Sequence, residues 1–326
     1  MDIELLRERA DIIRKVRSFF DRRNYLETDT PLLSRDLIPE SCLEVFETFH
    51  LPPEGSKDKK KPLWLIPSPE IWMKRLIAQH RTNLYQICKC FRNGESSGRQ
   101  HSPEFTMLEY YTMEADYLDS LKLTEELFTE TGAMGDLSPP FIIITVEEAF
   151  KRWAGFDLYK TASSPGAMEE ESRRLGLNPP AGLPVQELYD LIFIHTVEPR
   201  LKLEKPVVLM DYPAFVPCLA KKNGNTVERW ELYARGIELA NCFSEETNPL
   251  EVRMFFESEK ARKEKSAIVR HRVDDSYWEI FSGKGPEAGQ KFPACSGVAM
   301  GLDRLIMVLC GKSSIDGILP FPKSSV

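Results

Sequence analysis

The sequence predicts an α+β fold with a mostly antiparallel sheet flanked by helices. Three observations predict it. Strand-like segments gather toward both ends of the chain, "NLYQICKCFRN" at 83–93, "PEFTMLEYY" at 103–111 and "ACSGVAMG" at 294–301. A mainly helical stretch lies between about 113 and 200. Finally, "WELYARGIELANCFSE" (230–245) has the strand formers of a hairpin around a turn at 234–236.

Taken in order, residues 3–23 place Leu6, Ile12, Ile13, Val16, Phe19 and Phe20 among charges, the pattern of an amphipathic helix ending near Asn24. "YLETDTPLL" follows as a strand stopped by Pro31. "PPEGSKDKKKP" (52–62) is a solvated loop, its lysine run a surface hairpin tip rather than a binding patch. "IPSPEIWMKRLIAQ" (66–79) switches from strand to helix, with Ser68 as N-cap and Pro69 in the first helical position. Segments 83–93 and 103–111 pair as strands across a polar loop, and the last strand runs directly into the helix "LDRLIMVLCG". The whole of 1–326 reads as one catalytic-sized domain with a helical insert around 113–205.

Composition narrows the function. A 42% hydrophobic content over 326 residues supports a sizeable core. No run of eighteen apolar residues occurs and the first thirty residues are charged throughout, so neither a membrane span nor a signal peptide is expected, and a cytoplasmic location is. Seven scattered cysteines fit neither a disulfide framework nor a zinc site and read as reduced, mostly buried thiols. The net charge of -7 gives no basic field for wrapping nucleic acid.

Glu231, Glu238 and Glu245 stand seven residues apart in the hairpin. With the turn centred between Ala234 and Arg235, Glu231 and Glu238 face each other at ~5 Å and repel by about 3 kcal/mol at an effective dielectric near 20. Either a hard divalent cation bridges them, as magnesium does beside substrate phosphates, or they are two solvent-facing glutamates on an edge hairpin. In "PEFTMLEYY", alternation puts Phe105, Met107, Glu109 and Tyr111 on one face, a mixture suited to a pocket floor, where a ring stacks on a base and a carboxylate receives an ammonium. Arg92 emerges beside that floor, either as a phosphate or carboxylate fork or as a surface arginine at a strand end. In "GVAMGLDRL", glycines permit close backbone approach, and Arg304 lies in the first turn of a helix whose N-terminus favours an anion.

These residues resemble a known family. "YLETDTPLL", "FRNGESSGRQHSPEFTMLEYY" and "GVAMGLDRL" resemble motifs 1, 2 and 3 of the class II aminoacyl-tRNA synthetases, while "SPEIWMKRL" and "GIELANCFSEET" narrow the likeness to the lysyl branch. Motif 1 begins near residue 24, which leaves no room for the N-terminal anticodon-binding OB barrel. The pattern is therefore most similar to the elongation factor P lysine ligases, truncated lysyl-synthetase paralogues.

The resemblance implies a class II synthetase-like catalytic fold, ATP and Mg2+, and transfer of lysine or (R)-β-lysine to a lysine of elongation factor P. It makes Glu231 and Glu238 the magnesium pair. Glu245, with Glu109 and Tyr111, takes the side-chain ammonium of lysine; Glu70 takes the other amino group, and Ser68 belongs to the same lysine-binding set. Phe105 stacks adenine, Arg92 meets the α-phosphate and carboxylate, Arg304 the γ-phosphate, and Gly301 is the close-approach glycine. Asn93, Glu95, His101, Ser102 and Leu239 complete the ATP set. Strand parity sends Glu238 and Glu245 to opposite faces unless a bulge or bend intervenes near Asn241.

The chain departs from the pattern in an extra residue at "RNGE", in Ser102 for an asparagine and in Cys242 for a glycine. Ala299 stands where lysyl-tRNA synthetases have glycine and the paralogues alanine, a methyl expected to favour (R)-β-lysine. A homodimer follows from the motif 1 likeness alone, and tRNA is the less expected acceptor. Two other readings compete: a minimal lysyl-tRNA synthetase core, and an inactive paralogue acting as a binding subunit.

Overall fold

A computed structural model describes residues 3–51, 53, 60–94, 98–284 and 289–321. Residues 54–59 of the lysine-rich loop and the predicted nucleotide contact Glu95 lie outside the described residues. The strands are β1 (Leu26–Glu27), β2 (Leu33–Ser34), β3 (Glu47–His50), β4 (Lys61–Leu65), β5 (Leu84–Phe91), β6 (Glu104–Met113), β7 (Ile142–Thr145), β8 (Val207–Pro213), β9 (Lys222–Asn223), β10 (Thr226–Ala234), β11 (Ile237–Ser244) and β12 (Cys295–Gly301). The helices are α1 (Ile3–Asp21), α2 (Glu70–His80), α3 (Tyr117–Thr131), α4 (Val146–Ala149), α5 (Leu158–Ala162), α6 (Pro165–Arg174), α7 (Val185–Ile192), α8 (Pro249–Ser266), α9 (Glu279–Ser282) and α10 (Leu302–Leu309).

The main sheet runs β1-β5-β6-β12-β11-β10-β8-β7, with β9 on β10. Among the described residues only β1 on β5 and β7 on β8 are parallel; the central pairs are antiparallel, as the sequence predicts. A small sheet, β2-β4-β3, lies apart.

One face of the main sheet is closed by α1, α3 and α10. Val16, Phe19 and Phe20 of α1 pack on Tyr85, Leu108 and Tyr110, with Phe20 stacked on Tyr85 at 4.8 Å. Alternation on β6 sends Leu108 and Tyr110 into this core and leaves Phe105, Met107, Glu109 and Tyr111 for the opposite face. That opposite face holds a cavity between two helical walls. One is built by α2, α8 and α9 around Met73, Ile77, Phe256 and Tyr277. The other is the stretch from α4 to α7, whose Phe150, Leu188 and Ile192 pack against Val207 and Leu209 of β8.

Several expectations are corrected. Leu5, not Leu6, reaches the core of α1. "YLETDTPLL" contributes only the two residues of β1 to the main sheet, and Leu33 belongs to the small sheet. The loop predicted to run to residue 62 ends earlier, because β4 starts at Lys61. Within the helical stretch, "IIIT" forms β7, a four-residue apolar run too short for periodicity to tell strand from helix. All seven cysteines are free, but only Cys90, Cys242 and Cys295 are buried; Cys42 is exposed. Among the described residues no helix is long and apolar enough to cross a membrane.

Candidate active site

The β10–β11 hairpin turns through Arg235 and Gly236, both with positive φ (54° and 76°), and Ala234 pairs with Ile237. Such a two-residue turn matches the twist of the strands, and its glycine meets the left-handed requirement without strain. The expected register is therefore wrong. Glu231 lies opposite Asn241, and Glu238 opposite Tyr233, because the turn sits one residue later and the register shifts between Leu232 and Tyr233. Leu239 is the extra residue of that shift, two positions before Asn241, where parity demanded a bulge. It lets Glu238 and Asn241 line the same cavity as Glu231.

Glu231 is buried and held firmly. The hydroxyls of Tyr212 and Tyr233 donate to its Oε2 at 2.6 and 2.7 Å, and Arg229 donates to its Oε1. The Arg229 guanidinium lies 4.3 Å from the Tyr212 ring centre, which fixes it beneath the carboxylate. Glu238 is freer, with about two-fifths of its side chain open to the cavity. Surrounding protein and the nearby Glu231 nevertheless push its carboxyl up to about 7, against the pull of Arg304 and Arg92. Arg304 ties α10 to this strand: Nη1 donates to the Glu238 carbonyl at 2.9 Å, and Nε to that of Gln100 at 3.2 Å.

The donor set fits magnesium. Among the described residues no group of three or more His, Cys, Asp or Glu forms a metal cluster, but two carboxylates lining one cavity with two arginines are what a magnesium ion carried with nucleotide would need. Both lone pairs of Glu231 Oε2 are engaged by hydroxyls, leaving Oε1, with one donor, as its available atom.

The cavity, about 530 Å³, is lined by Glu70, Arg92, His101, Ser102, Phe105, Glu231, Glu238, Leu239, Gly301 and Arg304, as well as Ala299. Arg92 sits with its guanidinium carbon 5.3 Å from the Phe105 ring centre, so the ring that a base would cover is bordered by the cation that a phosphate would meet. Asn93 is not brought to this wall. Its amide hydrogen-bonds Val45 and Gly94 instead. Arg304 owes its place to its neighbour Asp303, which accepts from the Thr106 N–H at 2.7 Å and pairs with Arg9 at 2.7 Å, fastening α10 to β6 and α1.

Behind Glu70 lies a closed acidic subsite. Glu109 accepts from Tyr111 at Oε1 and from Ser68 at Oε2, both at 2.7 Å. Glu245 is buried beside it. Ser68 Oγ also accepts the Glu70 N–H at 3.0 Å, and since the helix begins at Glu70, Pro69 occupies the cap position rather than the first turn. Burial, then the neighbouring Glu70, pushes the Glu109 carboxyl up to about 8. Burial pushes Glu245 up to about 7, although the ammonium of Lys74 pulls it down. Lys74, which the sequence reading passed over, lies 2.6 Å from Glu70 Oε1 and 2.6 Å from Glu245 Oε2. Its signal was the four-residue spacing from Glu70 on one helix.

The departures fall unevenly. Cys242 points into the opposite core, its Sγ 3.3 Å from Ser296 Oγ, so its replacement of a glycine leaves the cavity untouched. Ala299 lines the cavity and pairs with Glu109 and Asn241 on its two neighbours. A Cβ at Gly301 meets only Arg304 at 3.4 Å, whereas one at Gly297 would collide with Glu245 and Tyr111 at 2.5 Å. The tight approach within the protein is therefore at Gly297.

Residues 3–325 match the family model described as tRNA synthetases class II (D, K and N). Over 330 residues, 99% of this chain and 97% of the relative, the sequence is 35% identical to a protein of Vibrio atlanticus (strain LGP32) named elongation factor P–(R)-β-lysine ligase. Proteins of the same name from Vibrio parahaemolyticus serotype O3:K6 and Avibacterium paragallinarum are 36% and 34% identical, covering 98% of this chain and 96% and 95% of their own lengths.

Proposed function

This chain belongs to the class II tRNA synthetase family of the D, K and N type, and from that premise we propose that it is an AMP-forming ligase that activates lysine or (R)-β-lysine with ATP and transfers it to a lysine side chain of elongation factor P. One observation carries the reading: the cavity lined by Arg92 and Arg304 shares Glu70 with a buried cluster in which Lys74 links Glu70 to Glu245 and Ser68 hydrogen-bonds Glu109, acids that suit a ligand with two ammonium groups.

In the first step a carboxylate oxygen of the amino acid attacks the α-phosphorus of ATP. The bond to the bridging oxygen breaks and pyrophosphate leaves. The carboxylate is already a nucleophile, so positioning and charge neutralisation do the work. Phe105 takes the base, Arg92 the α-phosphate and the amino acid carboxylate, and Arg304 the far phosphates. Glu231 and Glu238 would hold magnesium, which neutralises phosphate charge when bound. In the second step the acceptor amine attacks the adenylate carbonyl, AMP leaves, and the amine gives up a proton as the amide forms.

The names of the relatives favour (R)-β-lysine over α-lysine, and the Ala299 methyl on the cavity wall supports that order. One methyl is worth ~1–3 kcal/mol of discrimination, so both amino acids are expected to react. A homodimer belongs to the same reading, with Leu26, Leu33, Phe49 and Leu51 exposed around the motif 1 segment. The protein, ATP, magnesium and labelled lysine or (R)-β-lysine, offered elongation factor P and lysine tRNA in separate reactions, test the proposal. Label retained on the protein acceptor alone supports it; label on tRNA alone, or on neither, overturns it.

A further inference from the structure

The reaction drawn above makes no use of Lys74, yet its ammonium lies at the centre of the amino acid subsite. Its side chain is 1% exposed, with Glu70 Oε1 and Glu245 Oε2 each 2.6 Å away. A buried ammonium is costly unless paired, and here the two carboxylates hold it well above the usual lysine range, so it stays charged. Tyr277, packed with the apolar side of α2, is the other titratable group whose charge Lys74 feels.

Charge counting shows what the cation does. Glu70, Glu109 and Glu245, when ionised, bring three negative charges; Lys74 brings one positive, and two negative charges remain. A diamino acid whose carboxylate is taken by Arg92 presents two ammonium groups. The lysine stands between the two carboxylates that Glu109 does not supply, on the same helix as Glu70 and one turn along it.

We propose that Lys74 is a positioning residue that matches the charge of the subsite to a diamino acid: its ammonium, set between Glu70 and Glu245, offsets one of the three acids and leaves one net negative charge for each substrate ammonium. This rests on the reading under Proposed function. Without Lys74, three carboxylates share a closed space, protons enter it at higher pH, and those protons compete with the substrate's ammonium groups. A methionine of similar length would fill the same space, so a purely packing role and a charge-matching role are separable.

The test measures amino-acid-dependent ATP–pyrophosphate exchange from pH 6 to 9 for the wild type, Lys74→Met and Lys74→Arg, with KM for lysine, (R)-β-lysine and ATP determined separately. Charge matching predicts a KM for the diamino acid raised about tenfold or more in Lys74→Met, an acidic limb of kcat/KM moved up by about one pH unit, an ATP KM within about twofold, and substantial rescue by Lys74→Arg. Equal losses in both KM values with a lowered Tm, or an unmoved acidic limb, would overturn it. If Lys74→Met does not fold, Lys74→Gln gives the same readout with a polar, uncharged side chain. Wild-type protein that neither exchanges pyrophosphate nor gains Tm with any diamino acid sinks the functional reading instead, a result distinguishable from failure of the Lys74 proposal.

Discussion

Gly297 passes beneath Glu245 so closely that a Cβ there would stand 2.5 Å from the carboxylate Oε1, and equally close to Cε1 of Tyr111. The strand β12 thus backs the acidic subsite with bare backbone, and the two side chains it supports are those proposed to receive an ammonium. Gly297→Ala must displace one of them. Overpacking of this kind costs about 1–3 kcal/mol. The expected outcome is a lowered Tm together with a lysine KM raised about tenfold or more, and an ATP KM that changes less. Steady-state exchange kinetics with each substrate varied in turn would show it, and a wild-type lysine KM in the variant would rule the wall out.

Two carboxyls of the acidic subsite hold protons that an incoming diamino acid should expel. Glu109 sits at about 8 and Glu245 at about 7, both raised by burial. An incoming ammonium favours the ionised carboxylates and lowers these values, so binding releases protons at neutral pH. Affinity for the diamino acid is therefore fully present above about pH 8 and declines as the pH falls through 8 and 7, by up to about tenfold per unit for each proton released. The sign for stability is the reverse. Carboxyls raised in the folded protein hold protons that the unfolded chain has lost, so between their ordinary value near 4.5 and these raised values the ligand-free protein loses stability as pH rises. Calorimetry of lysine binding in two buffers of different ionisation enthalpy at pH 7 measures the release directly. Buffer-independent heats would refute the linkage.

How much of this was legible depends on the length over which each signal was averaged. α1, the β5–β6 pair and the β12–α10 junction are carried by long periodic segments, and the sequence located all three. The hairpin register turned on one residue. A positive φ at Arg235 moved the turn, and the bulge at Leu239 reset the parity, and neither leaves a compositional trace. Glu109, Glu231 and Glu238 stand out because acids in apolar segments demand partners, whereas Glu70 and the role of Glu245 come from the family resemblance alone. The partners themselves escaped notice. Arg229, Tyr212 and Tyr233 look like ordinary strand residues until folding collects them around Glu231. Lys74 reads as the polar face of an amphipathic helix, and only tertiary packing reveals that its face is buried.

Arg304 makes two contacts that only a guanidinium can hold at once, Nη1 to the Glu238 carbonyl at 2.9 Å and Nε to that of Gln100 at 3.2 Å. Its planar fork spans the mouth of the cavity between β11 and the loop before β6. Lysine offers a single point charge and cannot bridge both carbonyls while facing a phosphate. Arg304→Lys is expected to raise the ATP KM and to lower kcat/KM for ATP by about 10–100-fold, with the lysine KM little changed. Equal kcat/KM for ATP in the two proteins would remove Arg304 from the nucleotide site.

Glu238→Gln separates the charge of this residue from its place in the strand. Arg304 Nη1 holds the Glu238 backbone carbonyl at 2.9 Å and lies 3.5 Å from its carboxylate Oε2; the substitution weakens the second contact and keeps the first, so α10 keeps its hold on β11. What disappears is one of two neighbouring carboxylates, the one held at about 7 by burial and by Glu231. In the empty protein that charge is unfavourable. A carboxyl raised in the folded state costs stability as pH rises from its ordinary value to its raised one, and the full cost is present above about 7. At pH 8 the variant should therefore unfold at the same temperature as the wild type or a higher one. Catalysis should move the other way, since the neutral amide gives up the carboxylate charge offered to magnesium and the phosphates, with an expected loss of about 10²–10³ in the rate of pyrophosphate exchange. A protein made more stable and less active by one atom's change locates the charge in the chemistry rather than in the fold. Exchange within a few-fold of wild type, with an unaltered dependence on magnesium concentration, would take Glu238 out of the metal site and leave its cluster with Glu231 without a catalytic role.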